Sequence, residues 1–143
     1  MLVQDLNIQN GMVTKKGEIA ERFSYQGLPI AIENPEGSVR RWKNNAGETG
    51  KTTIYYKYGY LEYTKSPFDG EEIDCFVGKN PYASNVYIIK LGIDDKEEKV
   101  FLGFSSKEEA RDAFLAHYNT QKAFGDIIEL PMYLFKDMIE FGE

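Results

Sequence analysis

Residues 58–74 read YGYLEYTKSPFDGEEID, and the interpretation of the chain starts from them. Three carboxylates, Asp69, Glu71 and Asp74, surround one glycine in this stretch, and Glu72 lies between them. Because like charges crowded this closely repel one another, a cation is expected to offset them. Mg²⁺ prefers oxygen ligands, and metal-bound carboxylates commonly serve phosphate chemistry. The stretch therefore predicts a metal-binding turn, with an ordinary acidic turn as the alternative, since Asp and Gly both favour tight turns.

The composition indicates one domain that attracts cations. With 143 residues, 42% of them hydrophobic, the chain can bury one core, so residues 1–143 are expected to form a single domain. The net charge of -6 would repel a nucleic-acid backbone, so no nucleic-acid partner is expected. The single cysteine, Cys75, excludes an intrachain disulfide, and the single histidine, His117, excludes a histidine-rich zinc site.

The chain shows no secretory leader and no apolar stretch of membrane-spanning length. We therefore expect a cytoplasmic protein without a membrane partner. The sequence is compatible with a homo-oligomer.

Strand patterns fill the first part of the chain and helical patterns the last part. Residues rich in β-branched and aromatic side chains predict strands at 28–33, 52–58, 73–77, 86–91 and 99–104, the last two as a hairpin. Residues 1–26 predict a hairpin or an extension. Capping-box patterns at Ser105 and Ser106 predict a helix to about residue 119, and Pro131 opens a last helix after a strand at 127–130. This order predicts an α+β fold, a small antiparallel β-barrel of OB type with two helices towards the C-terminus.

Two further charged clusters accompany the acidic turn. Asp94, Asp95 and Glu97 form a second acidic turn, and Arg40 and Arg41 begin a basic patch. Hairpin loops can meet at one rim of a barrel, so we expect the two acidic turns to share Mg²⁺ there, opposite basic side chains that hold phosphate oxygens. The alternative for the two arginines is a solvated basic edge that discourages strand pairing.

Several motifs resemble those of the soluble inorganic pyrophosphatases of the metal-dependent family I type. YGYL at residues 58–61 and DGEEIDCFV at residues 69–77 are similar to the family's YGYI and DGDxxD elements, and IENP at residues 32–35 is similar to its IExP element. IENPEGSVR at residues 32–40 and KVFLGF at residues 99–104 resemble pyrophosphatase-like modules of phage and prophage proteins. The resemblance covers residues 27–139.

The resemblance implies Mg²⁺-dependent hydrolysis of pyrophosphate and a set of roles. It implies the metal ligands Asp69, Glu71, Asp74, Asp94, Asp95, Glu97 and Glu33, with Asp69 or Asp74 as the general base. It implies the phosphate-binding residues Arg41, Lys51, Tyr58, Lys99 and Tyr118. Tyr118 lies on the apolar face of its predicted helix, so packing is its alternative role.

The chain departs from the family pattern at several places. Glu71 and Glu97 replace aspartates, Lys43 stands where a carboxylate is expected, and Asn119 stands where a lysine is expected. These departures leave open a module without turnover that binds phosphate, a nucleotide or a protein partner. A hydrolase for a nucleotide is the third interpretation, since Trp42 and the many tyrosines could stack on a base.

Overall fold

The computed structural model describes residues 2–9, 12–14, 18–44, 46–66, 70–92, 97–118 and 124–139. The predicted ligands Asp69, Asp94 and Asp95 lie outside these residues, as does Asn119. The strands are β1 (Leu2–Gln9), β2 (Met12–Thr14), β3 (Glu21–Tyr25), β4 (Leu28–Asn34), β5 (Val39–Asn44), β6 (Thr49–Thr53), β7 (Lys57–Leu61), β8 (Ile73–Val77), β9 (Asn85–Leu91), β10 (Glu98–Leu102) and β11 (Phe124–Pro131). The helices are α1 (Lys107–His117) and α2 (Met132–Met138). The prediction of a sheet-rich α+β chain with two helices towards its C-terminus is confirmed.

A seven-stranded sheet forms the larger part of the fold, in the order β11-β9-β10-β8-β7-β4-β3. The predicted hairpin of β9 and β10 is confirmed, because Lys99 pairs with Ile89 in an antiparallel register. The prediction of a purely antiparallel sheet is wrong, because β10 runs parallel to β8. Within the described residues no pairing joins the outer strands β11 and β3, so a closed barrel stays a prediction.

A second sheet has the order β2-β1-β5-β6. Its β1–β2 hairpin agrees with the hairpin expected within residues 1–26, whereas β3 belongs to the larger sheet. The interpretation of Arg40 and Arg41 as a solvated edge is wrong, because they lie in β5, which pairs with β1 on one side and β6 on the other. A strand with two partners leaves no edge for the arginines to protect.

The prediction of one strand at residues 52–58 is wrong, because the chain changes sheet there. β6 ends at Thr53 in the smaller sheet and β7 begins at Lys57 in the larger one. Ile54, buried between them, donates its backbone N–H to Ser38 and accepts from the N–H of Gly37. These two bonds satisfy the backbone where it leaves the first sheet.

Each face of the larger sheet carries an apolar core, because successive strand side chains point to opposite faces. On the α2 face, Cys75, Val100 and Leu102 pack with Met132 and Phe135 of α2. On the α1 face, the second core contains Tyr58, Phe76, Tyr87, Phe101, Ala110, Ala113 and Phe114, of which the last three come from α1. The α1 face is the one that matters for function.

Helix α1 starts where the capping box predicts. The backbone N–H of Glu109 donates to the Ser106 hydroxyl oxygen at 3.0 Å, and the Glu109 carboxylate accepts from the backbone of Ser105 at 2.9 Å. These bonds satisfy amide groups that a helix N-terminus otherwise leaves unpaired. Among the described residues, neither helix has the length and apolar character needed to cross a bilayer.

Candidate functional site

Lys99 is a buried lysine on which polar side chains from several elements converge. The residue is only 4% exposed. Its ammonium donates to the Tyr58 hydroxyl oxygen at 2.8 Å and to Asp74 Oδ2 at 2.8 Å, and it lies 3.2 Å from Glu97 Oε1. A buried ammonium needs such partners because burial without them carries a large desolvation cost. We refer to Lys99, Tyr58, Asp74 and Glu97 as the Lys99 cluster.

The parallel pairing of β8 with β10 brings the two carboxylates together. Cys75 pairs with Val100 in a parallel register, so the residues just before this pair, Asp74 and Lys99, lie at the same end of the sheet. Asp74 lies two residues before Phe76 and Lys99 two residues before Phe101, which places both on the α1 face. Asp74 and Glu97, one from each predicted acidic turn, thus both contact Lys99, and their sharing of Mg²⁺ stays a prediction.

Two members of the cluster, Lys99 and Tyr58, keep their protons at neutral pH. Burial by itself lowers the pKa of Lys99. The neighbours Tyr58, Tyr118, Asp74 and Glu97 raise this pKa by more than burial lowers it, so the pKa lies well above its ordinary value. Burial, assisted by the charge of Asp74, raises the pKa of Tyr58 far above its ordinary value. At neutral pH the lysine is therefore an ammonium and the tyrosine a neutral phenol. Because the phenol oxygen accepts from Lys99, its own O–H can donate to a ligand.

Arg40 is a second cation at this site, and sequence reasoning did not select it. The Arg40 guanidinium lies 4.6 Å from the centroid of the Tyr58 ring, and the residue is 9% exposed. Such a cation over an aromatic face is attracted by the ring quadrupole. Had a strand been predicted at β5, the alternation of its side chains would have distinguished Arg40 from Arg41, because only one of two neighbours can face inward.

Arg41 and Lys51 occupy the other side of β5 and β6. They are paired directly across the two strands, and both are exposed. Like charges directly opposite each other destabilise a sheet, which an anion would relieve. The structure therefore brings these two predicted phosphate ligands close to one another, and their role stays a prediction.

Tyr118 fits both roles considered for it. Its ring stacks on Phe114 with centroids 4.5 Å apart, so it packs against α1. Its hydroxyl oxygen is buried, and it has no hydrogen-bond partner within the described residues. A buried hydroxyl without a partner carries a free-energy cost that a ligand oxygen could offset.

Glu33 lies in β4, which neighbours β7 in the larger sheet. Burial raises the pKa of Tyr60, and the charges of Glu72 and Glu33 raise it further, so these carboxylates lie near the Tyr60 hydroxyl. Tyr60 pairs with Asp74 across β7 and β8. Asp74 of β8 and Glu33 of β4 thus lie on the two strands that flank β7, whereas Glu71 is exposed at the end of its loop, where its backbone oxygen accepts from Ser66 at 2.7 Å.

The carboxylates suit Mg²⁺ in chemistry, since Mg²⁺ prefers oxygen ligands and keeps several waters. Asp74 and Glu97 contact one ammonium, and their side chains are 41% and 38% exposed, so both are accessible from solvent. Within the described ranges no group of three His, Cys, Asp or Glu side chains is arranged to hold a metal ion.

A cleft of about 380 Å³ lies away from this cluster. Its two lysines, Lys57 and Lys79, are each ion-paired, with Glu21 and Glu36. Lys57 precedes Tyr58 in β7, so its side chain points to the opposite face of the sheet. We prefer the Lys99 cluster as the candidate site, because unlike the cleft it combines a buried cation with accessible carboxylates.

Comparison with known proteins matches the chain to a protein family. The family model described as Inorganic Pyrophosphatase matches residues 10–140 of the chain. A search of curated proteins and a search of solved structures gave no match. The matched segment includes the Lys99 cluster, Arg40 and both helices.

Proposed function

Because the chain belongs to the inorganic pyrophosphatase family, we propose that it hydrolyses inorganic pyrophosphate to two phosphates with the help of Mg²⁺. The observation that carries the proposal is the convergence of Asp74, Glu97 and Tyr58 on the buried ammonium of Lys99. Pyrophosphate chemistry needs cations for the substrate oxygens and carboxylates for metal ions and water, and this cluster offers both.

The cations and hydroxyl groups bind the substrate in this proposal. The ammonium of Lys99 and the guanidinium of Arg40 approach Tyr58 from different elements, so both can face the same phosphate group. Tyr58 donates its O–H to a phosphate oxygen while it accepts from Lys99. The hydroxyl of Tyr118 donates in the same way, and Arg41 and Lys51 attract the substrate from the smaller sheet.

In this proposal the carboxylates bind Mg²⁺, and one of them acts as the general base. The proposed ligands are Asp69, Glu71, Asp74, Asp94, Asp95, Glu97 and Glu33. When bound, Mg²⁺ lowers the pKa of water and offsets the charge of the leaving phosphate. Asp69 or Asp74 accepts a proton from the attacking water, whose oxygen bonds to phosphorus as the bridging P–O bond breaks. The leaving phosphate then takes up a proton.

Phosphate release from pyrophosphate tests the proposal. We expect turnover by the wild-type protein with Mg²⁺, and a loss of about a hundredfold or more in Asp69→Asn and in Asp74→Asn, as for removal of a general base. Asp112→Asn is the matched control, because Asp112 is an exposed aspartate on α1. A wild-type protein that releases no phosphate over a broad range of Mg²⁺ concentrations would reject hydrolysis.

A binding module without turnover is the second candidate. It is favoured by Lys43, which is exposed in β5 at the position where the resemblance leads us to expect a carboxylate. Calorimetry that detects pyrophosphate or nucleotide binding without phosphate release would select this candidate. Phosphate release from nucleoside triphosphates but not from pyrophosphate would instead select a nucleotide hydrolase.

We further propose that the protein works in the cytoplasm of a bacterium or of a phage-infected cell. The resemblance of residues 32–40 and 99–104 to phage and prophage modules supports this location.

A further inference from the structure

His117, the single histidine of the chain, is buried at the end of α1 with both ring nitrogens engaged. Nδ1 lies 2.7 Å from the backbone oxygen of Ala113, and Nε2 accepts from the backbone N–H of Tyr55 at 3.0 Å. A carbonyl oxygen can only accept, so Nδ1 carries the proton and Nε2 is bare. The imidazole is therefore neutral and held in one tautomer.

The His117 imidazole is linked to Tyr58 in two ways, through the ring of Phe76 and through the backbone of Tyr55. The His117 ring packs against the Phe76 ring with centroids 4.5 Å apart, and Phe76 packs against Tyr58 at 4.6 Å. The Tyr55 backbone, which donates to Nε2, lies three residues before Tyr58 in the segment that joins the two sheets. Outside the helices and strands, such a segment depends on specific bonds of this kind for its orientation.

We propose that His117 is a positioning residue that holds the segment before β7, and the phenol of Tyr58, in the orientation that receives a phosphate oxygen. The inference rests on the proposed function in one respect, since it takes the phosphate to bind at Tyr58. The electrostatic environment supports it. Burial lowers the pKa of His117, the bond to Ala113 opposes this, and the charge of Arg40 lowers it further.

Three variants separate the parts played by the two nitrogens and the ring. His117→Gln can keep an acceptor for the Tyr55 N–H, His117→Asn can keep a donor for the Ala113 oxygen, and His117→Phe keeps only an aromatic ring. If the bond to Tyr55 orients the segment, His117→Gln should preserve the position of Tyr58, and His117→Asn and His117→Phe should not.

The first readout needs neither substrate nor metal. The protein is labelled with 3-fluorotyrosine, and the ¹⁹F resonance of Tyr58 is assigned by its disappearance in Tyr58→Phe. We expect this resonance to stay in place in His117→Gln and to shift or broaden in His117→Asn and His117→Phe. An unchanged Tyr58 resonance in all folded variants, or a displaced one in His117→Gln, would overturn the positioning role.

The second readout is the affinity for methylenediphosphonate, a pyrophosphate analogue that cannot be hydrolysed, measured with Mg²⁺ by calorimetry beside the unfolding free energy. We expect about tenfold weaker binding in His117→Phe and less than about threefold weaker binding in His117→Gln, the scale of one lost hydrogen bond. A merely structural role predicts lower stability with unchanged affinity, which would overturn the inference. A wild-type protein that binds no pyrophosphate would reject the proposed function, while the ¹⁹F result would still decide whether His117 positions Tyr58.

Discussion

Asp74 and Glu97 contact the same ammonium group, although one is the second residue of β8 and the other lies just before β10. Asp74 Oδ2 lies 2.8 Å and Glu97 Oε1 lies 3.2 Å from the Lys99 ammonium, so the distance between these two oxygens cannot exceed the sum of the two contacts. This closeness depends on the parallel pairing of β8 and β10, because antiparallel neighbours would place the starts of the two strands at opposite ends of the sheet. The site thus originates in the topology of the larger sheet.

The first prediction concerns Lys99→Met, which removes the cation but keeps an apolar stem. We expect the free energy of unfolding to fall by about 1 to 3 kcal/mol, since Asp74 and Glu97 lose a shared partner but remain partly hydrated. Urea denaturation measures the change, and Lys107→Met on an exposed position of α1 is the control. Equal stability of the two variants would contradict the central place given to Lys99.

The second prediction compares Arg40→Met with Arg41→Met, two neighbours in β5. Arg40 is buried against the Tyr58 ring, whereas Arg41 is exposed. We expect Arg40→Met to weaken pyrophosphate binding by about tenfold or more and Arg41→Met by less than about threefold, because a screened surface charge contributes less than a buried one. Calorimetry with Mg²⁺ and methylenediphosphonate, a pyrophosphate analogue that cannot be hydrolysed, measures both. The reverse order would place the phosphate on the exposed side of β5.

The contrast between the two arginines shows how far the sequence could reach into the site. The resemblance to family motifs implied Lys99, Tyr58 and Asp74, and the structure brings these three together. The resemblance implied Arg41, whereas distinguishing Arg41 from Arg40 requires knowledge of which side of a strand faces inward. No strand was predicted at β5, so the two-residue alternation could not be applied.

The fold was predictable where one segment contains its own signal. Strands β8 and β9 and the start of α1 follow from β-branched residues and a capping box. The separation of β6 from β7 and the parallel pairing of β8 with β10 depend on distant partners. Ile54 continues the β-branched pattern of its neighbours, and only its bonds to Gly37 and Ser38 reveal that the chain changes sheet there.

The third prediction concerns the glycine of the YGY motif. A Cβ on Gly59 would lie 1.9 Å from the backbone oxygen of Ala31 in β4, a contact that only movement of the backbone can relieve. We expect Gly59→Ala to lower the free energy of unfolding by about 3 kcal/mol or more, or to prevent folding. Gly47→Ala is the control, since Gly47 has a φ of +84° but open space around it. It should cost only about 1 kcal/mol.

The control also decides the reason for the glycine. If Gly47→Ala and Gly59→Ala lose the same stability in denaturation experiments, steric contact with β4 is not what requires a glycine in the motif.

The fourth prediction concerns pH and follows from the lowered pKa of His117. The unfolded chain takes up a proton near the ordinary value of 6.5, whereas the folded protein keeps the imidazole neutral to lower pH. The unfolded state therefore binds more protons below this value, and stability falls as the pH drops from there towards the folded-state pKa. Between about pH 7.5 and 5.5 we expect the wild type to lose up to about 1.4 kcal/mol more than His117→Gln. Parallel losses in the two proteins would contradict a neutral buried imidazole.

The fifth prediction tests the metal independently of catalysis. If Mg²⁺ binds only the folded protein, it should raise the free energy of unfolding by about 1.4 kcal/mol at tenfold excess over its dissociation constant. Asp74→Asn should reduce this gain, because the variant loses a carboxylate that faces solvent beside Glu97. Asp112→Asn should keep the full gain, which controls for the loss of one negative charge. Thermal unfolding at several Mg²⁺ concentrations measures all three proteins. An equal gain in Asp74→Asn and in the wild type would place the metal away from the Lys99 cluster, and the proposed catalytic role of Asp74 would lose its basis.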